Sequence, residues 1–228
     1  MTGGPTTRSR RARRARVDRI VTRLAAAVDW HAPVMNLVKD QAGDPWTLLA
    51  GTILSLRTKD EVTHGATKRL VAIAPSPAAL LDVPERTIAD TIYPVGFYRT
   101  KAKSLRATAR LLVDEHGGEV PADRDALLSL PGVGRKTANL VLALGFEIPA
   151  ICVDTHVHRI SNRLAFCETD TPDETERELE EVLPRRHWLT INELLVGFGQ
   201  AICQPVSPWC SRCPIRRSCP RVGVERSR

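Results

Sequence analysis

The chain has 228 residues and a net charge of +7, enough length to bury one large core or two smaller ones. No apolar run nears the ~20 residues of a bilayer-spanning helix, and no apolar signal core follows the basic start. No membrane association is therefore expected. Residues 1–16 carry six arginines and no acid, which leaves +1 of the charge for the rest. So biased a segment has little to bury, and 1–16 is expected to be a disordered basic tail. It reads equally well as a solubilising tail or as a salt-sensitive arm for nucleic acid. An organelle-targeting leader stays open as a minor reading of the same residues.

Helical spacing of Val17, Ile20, Val21, Leu24 and Val28 predicts a first helix over 17–29, ended by His31-Ala32-Pro33. Asp44-Pro45 opens a second, with proline suited to the first helical position. A third runs from Asp60 to Ala72. Short helices follow at 78–81 and 85–92, then a long amphipathic one from Thr100 to His116, stopped by Gly117-Gly118. Helices over 121–130 and 136–144 flank a glycine turn. Asp154 caps a helix striped by Val157, Ile160 and Leu164. Thr171-Pro172-Asp173-Glu174 reads as a capping box, and the acidic helix beyond it reads as a solvated face. His187 to Gly197 is the last helix. No alternating strand pattern of any length occurs, so the chain reads as all-α.

The turn is Leu130-Pro131-Gly132-Val133-Gly134-Arg135-Lys136. Pro131 cannot continue the preceding helix, the glycines permit a tight reversal, and amides at the next helix start can face an anion. Such a turn grips a phosphate without reading bases, or it is a plain helix–helix connection. Lys136, close to the helix's positive end and beside Arg135, is disfavoured as a cation and so suited to be a nucleophile. A surface lysine on phosphate is the plainer alternative. Asp154 follows 18 residues later. It is a natural N-cap, and it could also stabilise positive charge on a sugar.

Cys203, Cys210, Cys213 and Cys219 fall within 17 residues. A single Cys-x2-Cys pair between wider gaps suits a [4Fe–4S] cluster better than zinc, which spacing alone leaves open. Few apolar residues surround the four in sequence. Cys152 and Cys167 read as buried small residues. His156 and His158, two apart, make a poor metal pair.

These motifs, in this order, resemble the endonuclease III family of helix–hairpin–helix DNA glycosylases, over about residues 17–221. The resemblance implies a two-domain all-α fold. A six-helix domain (38–148) would carry the hairpin, and a cluster domain (17–37 with 149–228) the [4Fe–4S] group, with the active site in the cleft between them. It implies removal of oxidised pyrimidines from double-stranded DNA, and cutting at abasic sites by β-elimination. Lys136 would be the nucleophile and Asp154 its catalytic partner. Gly132, Val133, Gly134 and Arg135 would hold the backbone. Arg57 and Phe97 would enter the duplex, Ser55 and Asp60 line the damage pocket, and His156 support the site. Cys203, Cys210, Cys213 and Cys219 would ligate the cluster. A cytoplasmic, nucleoid-associated monomer is implied.

Two departures from the family stand out. Arg57 replaces a usual glutamine and Phe97 a usual aliphatic residue, so opposite-base preference does not carry over, and Phe97 could instead be core. The loop Gln204–Trp209 also lacks the basic residues relatives place there, for which Arg212, Arg216, Arg217 or the tail could compensate. The rival readings are a non-catalytic DNA-binding or redox-sensing iron–sulfur protein, and a mismatch-specific glycosylase of the same superfamily.

Overall fold

A computed structural model of the chain describes residues 7–27 and 44–228, with side chains from Arg10 onward in the first segment. Among the described residues all regular structure is helical, as the sequence predicts. The chain divides into two compact units, Asn36–Ile148 and Met1–Met35 with Pro149–Arg228.

In the first unit α2 (Pro45–Ser55) is the central helix. Pro45 takes the first helical position, and the Asp44 carboxylate accepts the Trp46 and Thr47 amides at 3.3 and 3.0 Å. The helix is apolar almost all round, so it is buried almost all round, from Leu48 to Leu54. Leu49 and Ile53 are fully enclosed, each contributing roughly 1.5–3 kcal/mol of burial. Around α2 pack α3 (Asp60–Ile73), α6 (Tyr98–His116) and α8 (Arg135–Gly145). Two short helices, α4 (Pro77–Asp82) and α5 (Glu85–Ile92), lie against α6, and α7 (Arg124–Ser129) leads into the hairpin. The start of α7 is set by Asp123, whose side chain accepts the Ala126 amide at 2.9 Å. The helix therefore begins three residues after the expected Pro121.

In the second unit α1 (Thr7–Ala27) lays Val17, Ile20, Val21 and Leu24 into a core shared with α9 (Thr155–Arg163), α10 (Pro172–Val182) and α11 (Ile191–Ala201). The expected disordered tail is corrected here: residues 7–16 are the first turns of α1. Arg13 donates to the Phe166 carbonyl at 2.6 Å and pairs with Glu178. Arg16 donates to the carbonyls of Leu164 at 2.8 Å and Ala165 at 3.3 Å. Partners far along the chain order this segment, which its composition could not show. Residues 1–6 and the expected helix end at 28–33 lie outside the described residues.

Two further expectations change. The acidic helix α10 has its capping box, yet it is not solvated all round, since Thr175, Glu176, Leu179 and Val182 are buried. The last helix starts at Ile191, after a separate 3-10 turn at Arg185–His187 that places the Trp188 indole N–H 3.0 Å from the Leu183 carbonyl. No helix among the described residues is long and apolar enough to cross a membrane.

If Arg16 is a structural clamp, Arg16→Ala lowers stability by about 1 kcal/mol, since its charged hydrogen bonds are partly exposed. Urea unfolding of the two proteins measures this. A free tail would leave the midpoint unchanged.

Candidate active site

The hairpin is built as its glycines require. Gly132 has φ +78°, and a Cβ there would lie 3.5 Å from Ser104 Cβ. The Thr108 hydroxyl donates to the Pro131 carbonyl at 2.9 Å, and the Val133 amide to the Leu130 carbonyl at 3.1 Å. Leu130 and Val133 point inward and are buried, so Val133 offers a ligand its backbone alone. Gly134 is the N-cap of α8 and supplies no side-chain acceptor. The amide end of α8 thus lacks the usual side-chain cap. Lys136 is exposed in the first turn of that helix.

Arg57 and Phe97 come together on two loops of the same unit. Their side chains stack, with the guanidinium carbon 5.8 Å from the ring centroid. Phe97 is 62% exposed, which removes the core alternative. Ser55 ends α2, its hydroxyl donating to the Thr52 carbonyl at 2.8 Å. Asp60 is exposed as the first residue of α3, and Lys59 rather than Asp60 holds the N-cap position.

In the second unit Asp154 caps α9, its Oδ1 accepting the amides of His156 at 2.9 Å and Val157 at 2.8 Å. The N-cap role is real, and it fixes the carboxylate. His156 Nδ1 lies 3.2 Å from the Arg159 guanidinium. Both pack on Gly199 so closely that a Cβ there would come within 2.3 Å of His156 Nδ1. Arg159 also donates to the Cys203 carbonyl at 3.0 Å, and burial lowers its pKa from the usual arginine value, with Arg163 adding to the effect. Arg163, only 8% exposed, donates to the carbonyls of Gln204 at 2.7 Å and Pro205 at 2.5 Å and reaches Cys203 Sγ at 3.5 Å. Arg159 and Arg163 were not expected from the sequence, although their i, i+4 spacing on the helix after Asp154 places them on one face.

The four cysteines line one pocket with Leu164, Phe198, Ile202 and Ile215, and Cys203, Cys213 and Cys219 pack on the hydrophobic core. Leu164, Phe198 and Ile202 come from the C-terminal ends of α9 and α11, and Ile215 from the cysteine segment itself. Burial pushes the Cys213 thiol up to about 11, and the other three cysteines add to the rise. Cys219 is raised chiefly by burial as well. Among the described residues no three His, Cys, Asp or Glu side chains gather around a single-ion position. Four thiols converging on one apolar pocket fit a group bulkier than one ion, whose charge would favour the thiolates. Cys152 and Cys167 are buried free thiols. His158 hydrogen-bonds Thr175 at 2.7 Å, which gives it a structural partner.

Arg228 closes the other side of the loop. It stacks on Trp209 at 4.1 Å and donates to the Ser207 carbonyl at 2.8 Å and to Gln204 Oε1. Arg212 also lies over Trp209, at 5.6 Å. Arginine thus reaches a loop that has no basic residue of its own.

Residues 50–185 match the model of the HhH-GPD superfamily of base excision DNA repair proteins. Endonuclease III of Thermotoga maritima is 47% identical over 77% of this chain and 83% of its own. The chain belongs to the endonuclease III family. It is a base excision repair enzyme, a DNA glycosylase with lyase activity at abasic sites. A trapped endonuclease III–DNA covalent intermediate superposes with a TM-score of 0.77 at 34% identity, covering 93% of this chain and 96% of that one. A thermostable thymine-DNA glycosylase has a TM-score of 0.74 at 25% identity, over 93% and 95%. An endonuclease III and a thymine-DNA glycosylase are thus both similar in backbone to this chain.

Gly199→Ala forces His156 and Arg159 apart. We expect about 1–3 kcal/mol of lost stability, as for an overpacked interior, together with slower base release. Thermal melting and single-turnover assays check both, and unchanged values would show that the ring can move aside.

Proposed function

We propose that this enzyme removes oxidised pyrimidines from duplex DNA with Lys136 as nucleophile and Asp154 as its catalytic partner, acting as a monomer in the cytoplasm. The observation that carries the reading is an exposed lysine in the first turn of a helix that begins directly after a glycine turn and has no side-chain cap. A relative caught as a DNA covalent intermediate supports it.

In this reading the amides of Gly132 to Arg135 hold the phosphate backbone while the damaged nucleotide is turned out of the stack. Arg57 and Phe97 fill the gap, and Arg57 can donate to the orphaned base. Ser55 and Asp60 line the damage pocket. The Lys136 amine nitrogen attacks C1′. The N-glycosidic bond breaks, and its electron pair leaves with the base, which takes up a proton. The amine gives up its protons as the sugar opens to a Schiff base. Loss of a proton from C2′ then breaks the C3′–O bond, and water releases the lysine. Asp154 stabilises positive charge on the sugar and assists the proton transfers. His156, braced by Arg159 and Gly199, orients the start of α9.

Cys203, Cys210, Cys213 and Cys219 are the residues that would hold a [4Fe–4S] cluster. When bound, it ties four points of the C-terminal loop together and thereby stabilises the fold. Arg163 and Arg159 hold that loop on α9 in either case.

Borohydride trapping on a thymine glycol duplex tests the reading. Wild type is expected to give a covalent adduct and Lys136→Ala none. Binding without an adduct would favour a non-catalytic DNA-binding protein. Asp154→Asn keeps a good helix cap, so its melting temperature should stay while base release falls by about 10²-fold. Comparison with mismatched duplexes separates the mismatch glycosylase. Purified protein should contain about four irons per chain and absorb in the blue. Stoichiometric zinc without colour would overturn the cluster.

A further inference from the structure

Arg57 and Phe97 both have left-handed backbone angles, φ 54° and 57°. Neither is glycine, so both loops are held in shapes they would leave if released. The holding group is Lys101, one turn into α6 and 7% exposed. Its ammonium donates to the Leu54 carbonyl at 2.8 Å, the Leu56 carbonyl at 2.5 Å and the Thr58 hydroxyl at 3.0 Å. An ammonium has three N–H donors, and each has an acceptor at the end of α2 or in the loop beyond it that carries Arg57. The same Thr58 oxygen accepts the Gly96 amide at 3.1 Å, and the Lys101 amide bonds the Phe97 carbonyl at 3.0 Å. Gly96 completes the join, for a Cβ there would lie 2.6 Å from the Arg57 carbonyl oxygen. The buried ammonium therefore bonds one loop directly and reaches the other through Thr58, whose oxygen accepts from both Lys101 and Gly96.

We propose that Lys101 is a positioning residue that locks the Arg57 and Phe97 loops into one rigid wedge, and so sets how readily a damaged base is extruded. The proposal rests on the reading of those two residues as the pair that enters the duplex. Lys101 itself need touch no DNA. Burial pushes its pKa down to about 8, consistent with an ammonium turned into the protein. The wedge is the exposed Phe97 ring with the guanidinium over it, an apolar plane and a donor in fixed relation. A rigid wedge has little conformational freedom to lose when it enters the stack, whereas a loose one must be ordered at that moment.

The lock predicts an imbalance between the two activities. Removing a stacked base requires extrusion, while an abasic site has already lost that stacking and costs less to open. Lys101→Met should therefore slow base release from a thymine glycol duplex by about tenfold and cleavage of a preformed abasic site by no more than about threefold. A general loss of folded enzyme would lower both alike. A second readout needs no turnover. With 2-aminopurine opposite a tetrahydrofuran abasic analogue, which has no aldehyde for the lyase to attack, saturating wild-type protein should raise its fluorescence by unstacking it, and Lys101→Met, equally saturated, should not. Equal loss of both activities, or a retained fluorescence rise, overturns the lock. Wild type that binds without any rise overturns the wedge reading of Arg57 and Phe97, and the lock with it. Should Lys101→Met lack a cooperative melt, Thr58→Val removes the one oxygen that accepts from both Lys101 and Gly96, and the same imbalance and fluorescence loss are required of it.

Discussion

The structure depends on cations that satisfy backbone carbonyls where helices end. A helix leaves its last carbonyls unpaired, and an all-α chain with short connections has many such ends and no sheet to absorb them. Here lysine and arginine side chains take that task repeatedly. Lys101 holds the end of α2. Arg69 donates to the Thr91 and Tyr93 carbonyls at the end of α5, and Arg106 to that of Val83 after α4. Arg13 and Arg16 hold residues 164–166 beyond α9, and Arg163 holds Gln204 and Pro205 beyond α11. Charged donors make stronger hydrogen bonds than neutral ones, so a few of them can fix loops that have little else.

This changes the meaning of the composition. A positive charge concentrated at the N-terminus suggests a polyanion, and the enzyme's family gives it one. Yet Arg13 and Arg16 are engaged with the protein itself, and Lys101 and Arg163 are almost wholly buried. The same side-chain chemistry that meets phosphate also meets a carbonyl dipole, and only the fold decides which it faces. Residues 1–16 look separate from the helix at Val17 because their pattern lacks an apolar stripe. The order of 7–16 comes instead from acceptors about 150 residues away, which no local window contains.

What was legible has a local cause. Asp44-Pro45, Thr171 to Glu174 and Asp154 are caps whose donors lie within three residues, so sequence spacing alone specifies the bonds. The glycine turn is legible for the same reason, as are Gly117 and Gly118, both at positive φ after α6. The burial of Glu176 and the apolar lining of the cysteines were not, because each is decided by a helix arriving from elsewhere in the chain. The close approach of Gly199 to His156 is of this kind too. A glycine inside a helix weakens it, and that apparent fault was the signal that another group needed the space.

Arg57 and Phe97 show the tension between local preference and tertiary demand most sharply. Left-handed angles at two non-glycine residues cost on the order of 1–2 kcal/mol each, and a glycine at either place would relieve the strain. A glycine would also remove the side chain that the loop presents. The conflict is resolved at Gly96, next to Phe97, where the small residue is placed so that the loops can close, and at Lys101, whose bonds hold the closed form. The strain is thus confined to the two residues that project, and the residues that relieve it are the ones beneath. A pair with the freedom to relax would present its ring and its guanidinium in many relations. Held in one, the proposed wedge would offer a damaged duplex a single shape, and discrimination would then lie in how easily a given base pair yields to that shape.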